Sequence, residues 1–109
     1  MIDIKPYRGT EMTTAQTILE QLGGNRFIAM TGASLFLNTG NGLAFKIGRG
    51  AINKANKVRI TLNDSDLYTV EFFSIRGIDI FNPRGMVENV YADKLREVFT
   101  THTGMDTAL

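Results

Sequence analysis

Hydrophobic and polar positions divide the chain into a helical beginning, an alternating middle and a helical end. Ala15, Ile18, Leu19 and Leu22 recur at i, i+3, i+4 and i+7, one apolar stripe of the 3.6-residue period. Just ahead stands Thr13 with Gln16 three places on, the capping-box pair: the Thr13 hydroxyl accepts from the Gln16 amide while the Gln16 side chain reaches back. Gly23 and Gly24 follow and take readily the positive φ at which helices stop. The pattern predicts a short helix resting its stripe on something else.

From Arg26 to Thr61, short apolar segments divided by Gly and Asn predict strands. "SLFLNTGNGLAFKI" reads as a hairpin. A five-residue loop, Asn38 to Gly42, sets Leu37 opposite Leu43 and Leu35 opposite Phe45, whereas a shorter loop centred on Asn41 and Gly42 opposes Leu37 to Lys46. The longer loop is preferred, because a one-residue slip turns every side chain to the other face. In "KVRITLNDSDLYTVEFF", Val58, Ile60 and Leu62 face one way and Lys57, Arg59 and Thr61 the other. Pairing Leu62 with Tyr68, Ile60 with Val70 and Val58 with Phe72 aligns both apolar rows, and places Thr61 beside Thr69 and Arg59 beside Glu71. Phe73 breaks the alternation, so either a bulge turns it inward, with Ile75 following, or it stands exposed. "IDIF" (78–81) predicts a last short strand, and Asn82 to Gly85 a turn. A second helix is predicted from Asn89 as N-cap, with Tyr91, Leu95, Val98 and Phe99 on one side, Gly104 as its stop and Met105 folding back on it.

These elements predict an α+β fold over residues 12–109: helix, four to five antiparallel strands, helix, with both helices on one sheet face. The core is expected to take Phe27, Phe36, Phe45, Phe72, Phe81, Tyr91 and Phe99, with Phe73 and Tyr7 as exceptions. Residues 1–11 are polar and irregular, broken by Pro6 and Gly9, and read as a flexible N-terminal arm; Met12 is a candidate alternative start.

Composition narrows the function. A chain of 109 residues, 43% hydrophobic and 21% charged, suits one soluble globular domain. Its longest apolar run is Phe27 to Met30, against the roughly 20 residues of a spanning helix, and its start lacks the apolar stretch of a signal peptide; a cytoplasmic protein without membrane contact is expected. With no cysteine there is no disulfide, thiolate ligand or thiol nucleophile. The single histidine, His102, lies near a helix C-terminus, where the dipole favours an imidazolium, and lacks the partners of a triad or a histidine metal site. Asp64 and Asp66 sit in a hairpin loop and suit turn chemistry. The glycines of "GNG" and "GRG" fit no phosphate-loop motif, since no Gly-Lys-Ser/Thr follows. No cofactor and no enzymatic activity are expected.

Charge is unevenly spread despite a net +1. Between Gln21 and Asn63 stand six basic residues and no acidic one, so the flanks hold six basic and eleven acidic. "KIGRGAINKANKVRI" (46–60) carries Lys46, Arg49, Lys54, Lys57 and Arg59. As a mobile loop it is a candidate grip on a nucleic-acid backbone, neutralising phosphates without sequence choice. As a solvated connection, its charges instead keep a sheet edge from pairing.

Three segments, "QLGGNRFIAMTGA", "VRITLNDSDLYTVEF" and "VYADKLREVFTTHTGM", resemble a set of small uncharacterised proteins carried by bacteriophages, prophages and related mobile elements. The resemblance spans roughly Thr13 to Leu109 and leaves out Met1 to Glu11. It implies a bacterial or phage cytoplasmic setting and carries no activity with it. The expected function is a small non-enzymatic binding module. Its partner is a nucleic-acid backbone or, alternatively, a host or phage protein or a second copy of itself, as in an inhibitor of a host protein.

Overall fold

The computed structural model describes residues 13–76 and 80–107, those at 76, 80 and 81 by backbone alone. The expected arm and alternative start lie outside the described residues, as do Tyr7, much of the "IDIF" segment and the Phe81 side chain. Helices α1 (Thr14–Leu22) and α2 (Asn25–Thr31) precede strands β1 (Ser34–Asn38), β2 (Gly42–Lys46), β3 (Lys57–Leu62), β4 (Tyr68–Arg76) and β5 (Ile80–Val90), and after a 3₁₀ turn, Ala92–Lys94, comes α3 (Leu95–Thr103). The strands form one antiparallel sheet in the order β1-β2-β3-β4-β5, with α1 and α3 on one of its faces. This is the α+β arrangement the pattern predicts.

α1 begins as its sequence dictates. Thr13 accepts from the Gln16 amide and Gln16 returns the bond to the Thr13 amide, both at 3.1 Å. Ala15, Ile18, Leu19 and Leu22 are buried, and Gly23 ends the helix at φ 127°. The β3–β4 ladder has the expected register throughout, from Leu62 opposite Tyr68 to Val58 opposite Phe72, with Arg59 opposite Glu71. The inward face of the sheet meets the helices through aromatic rings: Phe27 of α2 stands edge-on to both Phe45 of β2 (5.4 Å) and Phe99 of α3 (5.1 Å), and Phe72 of β4 stacks on His102. Gly104 caps α3 in the left-handed conformation, and Met105 packs against the core behind it.

Several expectations change. The apolar run after Gly24 forms α2, where strand was expected, because Phe27 on a helical turn reaches both Phe45 and Phe99. A run of four apolar residues carries no periodicity that separates helix from strand. In the first hairpin, Leu37 pairs with Ala44 and Asn38 with Leu43, one residue away from the expected register. The cause is Gly42: it pairs with Thr61 as a strand residue, so close to β3 that a Cβ there would overlap the Ile60 carbonyl oxygen. The loop shortens accordingly, and a bulge near Leu35 (φ 52°) restores Ser34 opposite Lys46. Phe36 consequently turns inward against Phe45, while Leu35 (72% exposed) and Leu37 stay outside.

β5 runs through Asn82 to Gly85, where a turn was expected. Pro83 lacks an N–H yet is tolerated on an edge strand, with Arg84 as the extra residue of a bulge between Phe73 opposite Pro83 and Phe72 opposite Gly85. Asn89 does not cap a helix; it adopts φ 59° in a second bulge that lets Val90 reach Tyr68, and Tyr91 is left 63% exposed. Phe73 follows neither expected course: it keeps register with Lys57 on the face away from the helices, yet is only 6% exposed.

Tyr68 joins β4 to α1 by donating its hydroxyl to the Gln21 Oε1 at 2.8 Å. Burial raises the phenol above its ordinary 10.0, and the Gln21 hydrogen bond offsets part of that rise. The folded state therefore holds a proton that the unfolded state releases near pH ~10, so stability is full below that pH and declines as pH rises through the raised value. Urea unfolding between about pH 8 and 11 should show this alkaline loss, and Tyr68→Phe should reduce it while costing about 1 kcal/mol at neutral pH through the lost hydrogen bond.

Candidate nucleic-acid interface

The β3 alternation that buries Val58 and Ile60 sends Lys57 and Arg59 to the outer face. Lys46, at the end of β2, follows the buried Phe45 and points the same way, and the β2–β3 register sets it directly opposite Lys57. Neither ammonium has a carboxylate within bonding distance. Like charges placed directly across a ladder repel, so this pair costs stability in the free protein.

Arg59 sits one row further in. Its Nε donates to the Glu71 Oε1 at 2.9 Å, and its guanidinium lies 5.5 Å over the Phe73 ring, although the side chain remains 45% exposed. Glu71 and Phe73 thus hold Arg59 in place, and an exposed pair of this kind contributes only ~0–1 kcal/mol.

Arg49 and Lys54 belong to the connection between β2 and β3. Expected as a mobile loop, the connection is instead pinned along its length. The Ile47 amide donates to Asn56, Gly48 to Thr31 at the end of α2, and Ile52 to Thr103 at the end of α3. The Asn56 side chain both donates to and accepts from the Ile75 backbone, at 2.9 and 2.8 Å. Ala51 and Ala55 are buried in the core, and Asn53 reaches the Arg84 carbonyl on β5. The connection thus folds under the helix side of the sheet, where Arg49 and Lys54 line an open cleft of about 330 Å³ together with Ser74 of β4.

The five cations therefore share one end of the sheet but not one face. Lys46, Lys57 and Arg59 stand outside, and Arg49 and Lys54 stand below. The β3–β4 turn at the opposite end holds Asp64 and Asp66, and Glu88 lies near the β5 terminus beyond it. Among the described residues of the sheet and its connections, Glu71 is the one carboxylate outside that acidic end. In the turn itself Asn63 supplies the bonding, accepting from the Ser65 and Leu67 amides, while Asp66 takes φ 62°. The Asp66 amide donates to the Asn63 carbonyl at 3.1 Å, and neither aspartate side chain makes a hydrogen bond.

His102 donates from Nδ1 to the Val98 carbonyl (3.1 Å) and lies flat on Phe72 at 5.0 Å, a packing arrangement at the end of α3. Among the described residues, no three His, Asp or Glu side chains gather as a metal site would require. No helix of the described residues is long and apolar enough to cross a membrane. Sequence reasoning grouped the five cations by proximity along the chain but did not foresee the Lys46–Lys57 contact, which depends on the β2–β3 register. It also passed over Ser74, which no pattern around it distinguishes.

No protein-family model matches the chain, and neither a curated protein nor a solved structure does.

Replacing Lys46 with Glu turns the repelling pair into an attracting one. Stability should rise by about 0.5–1 kcal/mol at low ionic strength, and the gain should shrink at about 1 M salt, as measured by urea unfolding.

Proposed function

We propose that the protein is a non-enzymatic binding module that grips a nucleic-acid backbone through the basic end of its sheet. Lys46, Arg49, Lys54 and Lys57 supply the contacts, and Arg59 is held beside them by Glu71 and Phe73. The observation that carries this reading is the Lys46–Lys57 pair, two unneutralised cations side by side at the cost of stability. A row of phosphates relieves that repulsion and releases the counterions condensed on the nucleic acid. Contacts of this kind tolerate any sequence, with Kd of ~10⁻⁴–10⁻⁶ M at physiological salt. The bacterial or phage cytoplasmic setting rests on the three segments that resemble mobile-element proteins.

Fluorescence anisotropy with labelled single- and double-stranded DNA at several salt concentrations tests the grip. Binding should weaken steeply with salt, with a slope of log K against log salt near about −3, and each of Lys46→Ala and Lys57→Ala should flatten it by about 1. No binding at low salt, or an unchanged slope in both variants, would remove the proposal.

A second reading is a protein-interaction or self-assembly module, favoured by β1. This outermost strand exposes Leu35 and Leu37 beside an unpaired edge among the described residues. Light scattering should then find a dimer that the Leu35→Ser, Leu37→Ser double variant returns to monomer. A wild-type monomer that captures no host protein counts against it.

A further inference from the structure

We propose that the cleft between the β2–β3 connection and β4 binds the phosphate of a monoester, as carried by a nucleotide or by the end of an oligonucleotide. The inference rests on the polyanion reading of the basic end and gives it a specific pocket.

Three independent features converge there. Arg49 and Lys54 line the cleft without a bonded carboxylate. The amides on either side are engaged, Ile47 with Asn56, Gly48 with Thr31, Ile52 with Thr103 and Lys54 with Ala51. Between them the consecutive amides of Arg49, Gly50 and Ala51 donate to no protein acceptor. Successive free N–H groups in a turn form an anion-binding concavity. Gly50 adopts φ 103° while a Cβ at its position would meet only open space, so this glycine serves the backbone conformation and not packing.

Ser74 supplies the third feature. It is 2% exposed and lines the cleft, and its hydroxyl bonds to nothing in the protein. Among the described residues no fully buried side-chain nitrogen or oxygen lacks a partner, so the small exposure of Ser74 belongs in part to its hydroxyl, which opens to the cleft. The hydroxyl, the three amides and the two cations together match the several acceptor oxygens and the charge of roughly −1.5 to −2 of a phosphate monoester. The two cations and three amides of the cleft suit a terminal phosphate, while the outer row of Lys46 and Lys57 suits the diesters that follow it.

The test is an NMR titration of the full ¹⁵N-labelled chain with inorganic phosphate, a nucleoside 5′-monophosphate, and a matched pair of oligonucleotides carrying 5′-phosphate or 5′-hydroxyl. The amides of Arg49, Gly50 and Ala51 should shift with each phosphate monoester, and the 5′-phosphorylated oligonucleotide should bind about tenfold tighter than its twin. Ser74→Ala, which removes a hydroxyl without a protein partner and should not lower Tm, should reduce that preference about threefold, as expected for the net contribution of one ordinary hydrogen bond. Equal binding of both oligonucleotides with unmoved cleft amides overturns the pocket while leaving the basic-end grip intact. Cleft amides that shift with the monophosphate, together with no oligonucleotide binding at any salt, overturn the grip and identify a free nucleotide as the source of the phosphate.

Discussion

The β3–β4 ladder is the constraint from which the remaining structure follows. Val58, Ile60 and Leu62 stand opposite Phe72, Val70 and Tyr68, and together they floor the core on which α1, α2 and α3 rest. Strand side chains alternate with a period of two, so the burial of this row leaves no freedom for the intervening one. Lys57 and Arg59 face outward because Val58 and Ile60 face inward. Fully burying each such aliphatic or aromatic side chain is worth about 1.5–3 kcal/mol, well above the few tenths that repulsion between exposed cations costs. The outer charge pattern is therefore tolerated as a consequence of the core.

Antiparallel connectivity then sorts charge between the two ends of the sheet. Each strand reversal belongs to one end, and the acid-free connection Ile47 to Asn56 closes the same end as Lys46 and Lys57. The turn bearing Asp64 and Asp66 closes the other. A segregation visible along the chain thus becomes a segregation in space, divided by the sheet into an outer pair with Arg59 and a lower cleft. The connection is pinned to α2, α3 and β4, so its backbone is ordered before any partner arrives, and the proposed binding would cost less conformational entropy than a loose tether would.

Legibility followed the reach of the interactions that decide each element. The α1 cap and the β3–β4 register are set by residues a few positions apart, and both were readable. The first hairpin was misread because Gly42 answers to the Ile60 carbonyl on β3, eighteen residues along, and not to its own loop. Asn89 is equally suited to a helix cap and to the left-handed conformation of a bulge, and only the pairing of Val90 with Tyr68 selects the second. At the candidate site, the five cations were readable as a cluster along the chain. Their division between two faces was not, and neither was the unpaired Ser74 hydroxyl.

By itself, the amino-acid sequence determined which residues bear charge, which rows must be buried and where helices and turns begin, since caps, periodicity and positive-φ residues act locally. The tertiary structure alone decided which distant residues meet: Lys46 with Lys57, Phe27 with Phe45 and Phe99, and Arg49 and Lys54 with Ser74. Such meetings depend on strand order and register, which arise from the collective packing of one core and are encoded in no single segment.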